Sequence, residues 1–301
     1  IKKSGELMRK EKPDALLVLG DTNSCLSAYM AKRLHIPIFH MEAGNRCFDF
    51  NVPEEINRRI IDHIADFNLV YTEHARRHLI SEGLPHKRIY LTGSPMYEVI
   101  NYYKPKIDSS NILNTLNLQR EGYFVVSVHR EENVDNRDNL LKILHILNRL
   151  AADYLVPVIV TTHPRSRKKL EAIDNFIIDS NIQFLKPFGF ADYVHLQMNA
   201  ICTISDSGTI SEQSAMLNFP AISLRNSMER PEAQDSGTII LTGFKLDAVM
   251  ASIELVMSEG KIRPNKILPP EYQVYDSSWR VLKLINGLSK LSNCWHGIME
   301  F

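Results

Sequence analysis

The feature that most restricts the fold of this chain is a series of short, almost continuously apolar runs that alternate with helical patterns. The first three runs cover residues 15–19, 36–39 and 67–71. Runs of this length without polar alternation are typical of parallel strands that are buried on both faces. Parallel strands need crossover connections, which are usually helices. The pattern therefore predicts an α/β fold built on parallel sheets.

The alternation is interrupted once, by a polar and weakly patterned segment at residues 104–119. Such a segment between two patterned regions predicts a linker. We therefore predict two Rossmann-like, doubly wound domains with a cleft between them, at residues 1–104 and 105–275.

Further strands and helices are predicted from the same patterns. The additional strands cover residues 89–93, 123–128, 156–161, 182–185, 200–205 and 221–224. The helices cover residues 23–34, 54–64, 74–82, 136–150, 166–173, 191–198, 209–217, 247–259 and 276–291, and residues 1–12 resemble the charged end of another helix. Because that helix runs straight into the first strand and residue 1 is not methionine, we expect that a natural N-terminal segment is missing.

Charge and cysteine content exclude several classes of function. Among 301 residues, Lys+Arg and Asp+Glu both total 35, so no net field favours a nucleic-acid or membrane partner. No apolar run approaches the roughly 20 residues that span a bilayer. The four cysteines are scattered without a metal-ligand spacing, at Cys25, Cys47, Cys202 and Cys294. We expect reduced thiols in a cytoplasmic protein, with no metal and no cofactor.

Three carboxylates lie near strand ends or helix starts in the first domain. Asp21 follows the first run, where either Asp21 or Thr22 caps the next helix, or Asp21 points into the cleft. Glu42 follows the second run, in a predicted loop with Gly44 and Arg46. Glu54 comes directly after a proline, where a glutamate ordinarily complements the helix dipole. Together the three predict acid/base chemistry at the carboxyl edge of the sheet.

Cations occupy the corresponding strand ends of the second domain. His129 and Arg130 end one predicted strand, and His163 and Arg165 follow the next strand along the chain. A single histidine of this kind is usually an ordinary loop residue. Two histidines at consecutive strand ends indicate that this domain forms the positively charged side of the cleft.

The segment at residues 205–213 predicts an anion site. A strand ends in Ser207 and Gly208, and this turn opens a helix whose free N–H groups can hold phosphate oxygens. Glu212, one turn into the helix, is suited to ribose hydroxyls. An ordinary N-cap is the alternative, and the absence of Gly-Lys-Ser/Thr excludes a P-loop. Arg225 and Arg230 supply further cations for a diphosphate.

These motifs, taken in order, resemble one enzyme family. They are Gly-Asp-Thr at 20–22, His-Met-Glu-Ala-Gly-Asn-Arg at 40–46, Pro-Glu-Glu-Ile-Asn-Arg at 53–58, Thr-Gly at 92–93, His-Arg at 129–130, Ser-Asp-Ser-Gly at 205–208 and Glu-Arg-Pro-Glu-Ala at 229–233. The chain resembles the non-hydrolysing UDP-N-acetylglucosamine 2-epimerases over nearly its whole length.

The resemblance implies a fold and a reaction. The fold is the glycosyltransferase-B-like pair of Rossmann domains, here with a truncated first domain, and residues 276–301 form a helix that crosses back to it. The reaction inverts C2 of a UDP-N-acetylhexosamine, by elimination of UDP to a 2-acetamidoglycal and re-addition on the opposite face. A cytoplasmic homodimer in surface polysaccharide biosynthesis is also implied.

The resemblance assigns roles residue by residue. The acid/base set becomes Asp21, Glu42 and Glu54, with His129 near the diphosphate or the sugar. The UDP ligands become Arg130, His163, Tyr193 (near uracil), Ser207, Gly208, Glu212 and Arg230.

Several positions depart from the commonest pattern of the family. Asn45 replaces leucine, Glu131 replaces arginine, Thr209 replaces glycine and Gln213 replaces glutamate, while Cys47-Phe48-Asp49 follows Arg46. These departures resemble the subgroup that forms UDP-N-acetyl-L-fucosamine from its 6-deoxy talosamine epimer. We expect Asn45, Cys47 and Asp49 to influence the choice of sugar.

Two other functions fit the same architecture. A UDP-sugar glycosyltransferase would need an acceptor site and would transfer the sugar intact. A nucleotide-sugar-binding protein without turnover would lack the acids, and all three acids are present.

Overall fold

The computed structural model describes residues 1–134, 136–162, 169, 176–262 and 268–298. The chain divides into two compact units. Unit 1 comprises Ile1–Glu98, Glu229–Glu232 and Pro270–Phe301, and unit 2 comprises Val99–Met228 and Ala233–Pro269. A short segment from the second half of the chain, residues 229–232, therefore belongs to the first unit.

Unit 1 is built on a sheet of parallel strands in the order β1-β2-β3-β4. The strands are β1 (Leu16–Leu19), β2 (Ile38–Ala43), β3 (Phe67–Val70) and β4 (Ile89–Leu91). The helices are α1 (Lys2–Glu11), α2 (Ala28–Arg33), α3 (Pro53–Ile64), α4 (Glu73–Ser81) and the late helix α13 (Ser277–Trp295), with 3₁₀ turns at Asn23–Ser27, His86–Arg88 and Pro270–Gln273.

Apolar side chains cover both faces of this sheet. On one face Ile38 packs in a buried cluster with Ala28 of α2 and Ile61 of α3. On the other face Phe39 and Phe67 stack with ring centroids 4.7 Å apart and share a cluster with residues of α13. Burial on both faces explains the apolar character of the inner strands β2 and β3, whereas the edge strand β1 leaves Leu17 and Leu19 exposed.

Strand β2 extends further than the sequence predicted. The prediction ended at Phe39 and put Glu42 in a loop, whereas the structure continues the strand through His40 to Ala43. The pairing with β3 skips Glu42, because Met41 aligns with Leu69 and Ala43 with Val70. Glu42 is therefore the extra residue of a β-bulge, a feature that redirects a side chain.

Unit 2 is built on a sheet of parallel strands in the order β10-β9-β8-β5-β6-β7. The strands are β5 (Phe124–Ser127), β6 (Val158–Thr161), β7 (Ile182–Leu185), β8 (Cys202–Ser205), β9 (Ala221–Ser223) and β10 (Ile240–Leu241). The helices are α5 (Met96–Asp108, which begins in unit 1), α6 (Ile112–Thr115), α7 (Glu131–Val134), α8 (Arg137–Tyr154), α9 (Phe190–Asn199), α10 (Ile210–Leu217), α11 (Glu232–Asp235) and α12 (Leu246–Ile262).

The central strands of unit 2 carry its core. Val126 and Ile204 face a large buried cluster that includes Leu147 of α8 and Ile253 of α12. Val125 and Ile159, on the opposite face of β5 and β6, belong to a second cluster with Leu196 of α9. The order places β5 and β8 side by side, with Ser127 opposite Ser205. The two strand ends that the sequence singled out are therefore adjacent.

The predicted linker is wrong in its local structure. Residues 104–108 form the last turns of α5, with Pro105 inside the helix, and α6 follows at residues 112–115. Proline removes a hydrogen-bond donor and disfavours a helix interior, which is why the sequence pattern indicated a break. The predicted helix at residues 166–173 lies outside the described residues, except for Lys169. In the part of the chain that is described, we find no helix with both the length and the apolar character needed to cross a bilayer.

Candidate active site

The turn after β1 presents a carboxylate to an arginine. Gly20 adopts a left-handed backbone with φ +74°, and Asp21 follows it. Nε and Nη2 of Arg58, on α3, donate to Oδ2 of Asp21 at 2.8 and 2.7 Å. Thr22 is the N-cap residue of the next 3₁₀ turn, and its side chain makes no capping hydrogen bond. Asp21 is therefore bound to Arg58, so the alternative that Asp21 caps the next helix is wrong.

Burial raises the pKa of Asp21 above its usual value of 3.8. The guanidinium of Arg58 opposes the shift, and the carboxylates of Glu42 and Glu229 reinforce it. The electrostatic coupling also shows that Asp21, Glu42 and Glu229 belong to one group of charges. A carboxyl group whose proton is held more tightly than usual is suited to proton transfer.

Glu42 is held in an uncommon backbone conformation. Its φ is +68°, in the left-handed region, which costs a non-glycine residue roughly 1–3 kcal/mol. Its Oε1 accepts a hydrogen bond from Nη2 of Arg230 at 2.6 Å and another from Nδ2 of Asn45 at 3.3 Å. The side chain remains 26% exposed. A Cβ atom at Gly20 would lie 3.3 Å from Oε2 of Glu42, so the glycine leaves room for the carboxylate.

Segment 229–232 supplies the arginine that binds Glu42. The guanidinium of Arg230 lies 6.0 Å from the ring centroid of Tyr71, a cation–π distance. Its neighbour Glu229 lies 3.7 Å from Nη2 of Arg58. The segment therefore brings one cation to Glu42 and one anion to Arg58.

The two glutamates at the start of α3 differ in their surroundings. Glu54 is half-buried and, within the residues that the structure describes, its carboxylate makes no hydrogen bond or ion pair. Glu55 is fully buried. It accepts hydrogen bonds from the Cys47 amide at 3.0 Å, Arg58 at 3.1 Å and Arg59 at 3.1 Å. Glu55 therefore has a structural role, and Glu54 is the glutamate that is available to a ligand.

A fully buried carboxylate, Asp62 of α3, binds residues on both sides of Glu42. It accepts hydrogen bonds from Nδ1 of His40 at 2.8 Å, from the Gly44 amide at 3.1 Å and from Nη1 of Arg46 at 2.7 Å. Burial by itself would raise the pKa of Asp62, but His40 and Arg46 outweigh it and lower that pKa below 3.8. Asp62 is thus a stable anion. Its sequence position gives no sign of this role, because it stands in the last turn of a helix.

In unit 2, the buried carboxylate of Asp206 fixes the turn after β5. It accepts hydrogen bonds from the backbone amides of His129 and Arg130 at 3.1 and 3.0 Å, and from Nδ2 of Asn133 at 2.9 Å. Nδ1 of His129 lies 3.2 Å from Oδ1, and the His129 side chain is 52% exposed. Asp206 therefore orients an exposed imidazole.

The predicted anion turn lies beside this histidine turn, because β8 adjoins β5. The Ser207 hydroxyl lies 3.0 Å from that of Thr209, and α10 begins at Ile210. Thr209, the N-cap residue, makes no capping hydrogen bond with its side chain, whereas the Ser207 hydroxyl accepts a hydrogen bond from the Thr209 amide at 3.4 Å. Gly208 accepts a hydrogen bond from the Ser211 hydroxyl at 3.1 Å through its carbonyl oxygen.

The remaining predicted ligands of unit 2 are placed as follows. Glu212 is almost completely buried within α10. Tyr193, at the start of α9, has a pKa raised mainly by burial, and interactions with Ser127, Ser205 and Gln197 oppose the shift. His163 and Arg165 lie outside the described residues. Among the residues that are described, no group of three or more acids, histidines or cysteines is arranged to hold a metal ion.

Comparison with known proteins agrees with these motifs. The family model for UDP-N-acetylglucosamine 2-epimerase matches residues 1–286. The chain is 33% identical over 261 residues to UDP-N-acetylglucosamine 2-epimerase of Methanocaldococcus jannaschii, covering 84% of this chain and 71% of that protein.

Solved structures agree as well. A UDP-N-acetylglucosamine 2-epimerase from Rickettsia bellii superposes with a TM-score of 0.90 at 46% identity, covering 97% of this chain and 78% of that one. The M. jannaschii enzyme in complex with UDP-GlcNAc and UDP gives a TM-score of 0.86 at 30% identity, covering 95% of this chain and 79% of that one. The chain belongs to the non-hydrolysing UDP-N-acetylglucosamine 2-epimerase family, whose members are isomerases.

Proposed function

We propose that this chain, as a member of that family, inverts C2 of a UDP-N-acetylhexosamine through a 2-acetamidoglycal. The observation that carries the proposal is the pair of carboxylates Asp21 and Glu42. Both are partly exposed and electrostatically coupled, and each is bound by a different arginine. The complex of the M. jannaschii relative with UDP-GlcNAc and UDP supports this class of substrate.

The reaction requires a base, an acid and support for a leaving group. In the forward step a carboxylate removes the C2 proton, the C1–O bond to UDP breaks, and the electron pair of the C2–H bond forms the C1=C2 double bond. In the return step UDP adds to C1 and a proton reaches C2 on the opposite face. We assign the proton transfers to Asp21, Glu42 and Glu54. We assign to Arg230 and His129 the stabilisation of the negative charge that develops on the departing diphosphate.

Unit 2 supplies the nucleotide contacts in this proposal. The turn of Ser207 and Gly208 at the start of α10, with Arg130 and His163, would hold phosphate oxygens. Glu212 is assigned to the ribose and Tyr193 to the uracil. The exposed imidazole that Asp206 orients supports a role for His129 at the diphosphate.

The test is exchange of the C2 hydrogen in heavy water with UDP-N-acetylglucosamine, together with titration of UDP binding. For Glu42→Gln we expect exchange to fall at least about 1,000-fold, because the amide cannot accept the proton. UDP affinity should change by less than about threefold, since the amide oxygen of the glutamine can still accept the hydrogen bond from Arg230. Glu6→Gln is the matched control: it makes the same change at an exposed site on α1 and should leave both measurements unchanged.

Two outcomes would contradict the proposal. Absence of C2 exchange in the unmodified chain with every UDP-N-acetylhexosamine tested would exclude epimerase activity, and transfer of labelled sugar to an acceptor would favour a glycosyltransferase. Equal loss of exchange and of UDP binding in Glu42→Gln would point to a structural role for the glutamate.

We further propose a 6-deoxy substrate, UDP-N-acetyl-L-talosamine, converted to UDP-N-acetyl-L-fucosamine for surface polysaccharide by a cytoplasmic homodimer. Asn45 supports a special sugar preference, because it stands where leucine is usual and donates to Glu42. The ratio of turnover on the 6-deoxy and the 6-hydroxy substrate tests this. We expect the ratio to exceed one, and to fall in Asn45→Leu.

A further inference from the structure

The segment that carries Glu42 is tied at three points to a single side chain. His40 lies two residues before Glu42, Gly44 two residues after it and Arg46 four residues after it. All three donate hydrogen bonds to the carboxylate of Asp62, at 2.7 to 3.1 Å. Fixing the chain on both sides of Glu42 leaves its bulged backbone little freedom.

The bulge needs this support because its backbone is disfavoured. At φ +68° a glutamate occupies a region that side chains rarely adopt, and such a conformation persists only where the surroundings impose it. Gly44 contributes as well: its φ is +79°, and a Cβ atom there would lie 2.4 Å from the carbonyl oxygen of Ala75. The glycine lets the segment turn sharply against α4, with its amide directed to Asp62.

The same carboxylate reaches the turn that carries Asp21. The other ring nitrogen of His40, Nε2, lies 3.2 Å from the carbonyl oxygen of Gly20, the residue that precedes Asp21. The imidazole therefore bridges the Asp62 carboxylate and the Gly20 carbonyl oxygen. The Gly20 amide also donates to the Met41 carbonyl at 3.1 Å, which joins the two strand ends directly.

The cluster around Asp62 extends through Arg46 to a second carboxylate. Arg46 is fully buried and binds Glu82, the residue that follows α4, through Nε and Nη2 at 2.7 and 2.6 Å. Glu82 is also paired with Arg59 of α3 at 3.2 Å. Such a satisfied buried network is rigid, because each partner is costly to leave unpaired.

We propose that Asp62 is the positioning residue for both Asp21 and Glu42, acting through His40, Gly44 and Arg46. It does not touch the substrate. The role rests on the proposed function, since it matters for turnover only if those two carboxylates transfer the proton. A displacement of about 1 Å at a reacting group lowers turnover about 100-fold.

The test is Asp62→Asn in the whole chain, with UDP-N-acetylglucosamine as the probe and C2 deuterium exchange as the readout. The amide carries an N–H where one of the three donors now binds, so one contact is lost. We expect kcat to fall about 100-fold and KM to change less than about threefold, because the residue acts on the reacting groups and not on nucleotide binding.

Asp66→Asn is the matched control. Asp66 is also a buried carboxylate that holds β2, but it does so at the first residue of the strand, through the Ile38 amide at 2.9 Å and Lys32 at 2.5 Å. Its loss should lower the melting temperature while kcat per folded molecule stays within about twofold of the unmodified value. A fall in kcat common to both variants would make the effect of Asp62 merely structural and overturn the proposal.

His40→Gln keeps the proposal falsifiable if Asp62→Asn does not fold. The glutamine amide can donate to Asp62 or to Gly20, but it cannot reproduce both contacts of the ring. We expect kcat to fall about tenfold with KM unchanged. Unchanged kcat in a folded His40→Gln, or kcat within about threefold of the unmodified value in Asp62→Asn, would overturn the positioning role.

The experiments distinguish an error in the proposed function from an error in the positioning role of Asp62. If the unmodified chain exchanges no C2 hydrogen, or if Glu42→Gln remains active, the assignment of the reaction is wrong whatever Asp62 does. A crystal structure of Asp62→Asn then decides about positioning alone. The proposal requires Glu42 to lose its 2.6 Å contact with Arg230 or its φ near +68°, and unchanged geometry contradicts it.

Discussion

Units 1 and 2 both place carboxylates at the ends of parallel strands, but the two units use them differently. In unit 1, Asp21 and Glu42 are 21% and 26% exposed and bind single arginines. In unit 2, the carboxylate of Asp206 is completely buried and binds two backbone amides and one side-chain amide. The unit 1 pair can meet a ligand, whereas Asp206 can only shape the turn that carries His129.

Asp62 shows that unit 1 contains both kinds of carboxylate. Like Asp206, it is fully buried, and its pKa is lowered by His40 and Arg46 despite the burial. The pKa of Asp21, in contrast, is raised. A buried carboxylate with enough donors stays ionised and fixes a loop, while a partly buried one with fewer donors is poised to exchange a proton.

The largest effect that would test this difference is expected for Asp206→Asn. The amide leaves at least one of the donors around it without an acceptor, which costs about 1–3 kcal/mol of the free energy of unfolding. Because His129 and Arg130 lose their anchor, we expect UDP affinity to fall about tenfold, measured by titration calorimetry. Asp153→Asn, an exposed acid on α8, is the control and should change neither value. If Asp206→Asn is destabilised but its UDP affinity is unchanged, the turn after β5 does not contribute to nucleotide binding.

An intermediate effect, on stability, is expected for Asp21→Asn. A carboxyl pKa that is higher in the folded state than in the unfolded state stabilises the fold below pH 3.8, and this contribution is lost as the pH rises through the folded-state pKa. At pH 7 the ionised Asp21 therefore destabilises the fold. We expect Asp21→Asn to lose exchange activity yet to melt at a higher temperature than the unmodified chain at pH 7.

The pH dependence is the decisive part of that measurement. The difference in melting temperature between the two chains should shrink as the pH falls toward 3.8. Asp14→Asn, an exposed acid in the same unit, should show no difference at any pH. A lower melting temperature for Asp21→Asn at pH 7 would mean that the ion pair with Arg58 outweighs the cost of burial.

The smallest effect is expected for Tyr193→Phe. Loss of the polar interactions of the hydroxyl with Ser127, Ser205 and Gln197 should cost about 1 kcal/mol of stability, visible in a urea melt. If the ring alone faces the uracil, UDP affinity stays within about twofold. A tenfold loss of affinity would instead place the hydroxyl on the nucleotide. Tyr102→Phe, an exposed tyrosine on α5, serves as the control.

The sequence anticipated the fold well where apolar runs were continuous. The strand predicted at residues 182–185 matches β7, and the helix predicted at residues 54–64 matches α3 to within one residue. The prediction from sequence was wrong where polar residues stand inside a strand or a helix. Residues 40–43 of β2 and residues 104–108 of α5 did not show a periodic pattern, because packing and pairing with distant segments decide their conformation.

The candidate site divides in the same way. Asp21, Glu42 and His129 were found because a strand precedes each of them. Arg58 and Asp62 were missed as site residues, because a charged residue inside a helix usually faces solvent. Only the structure shows that both point into unit 1 and bind the strand-end turns.

The sequence by itself determined which strands form and which reactive side chains stand at their ends, since strand burial and residue order are local properties of the chain. Tertiary structure decided which carboxylates are held by several hydrogen bonds and which can exchange a proton. Arg230 pairs with Glu42 across 188 residues of sequence, and Asp62 meets Gly44 across 18. Such partners have no periodic signal, and the pKa of a carboxyl group depends on them and on burial, which only the folded chain creates.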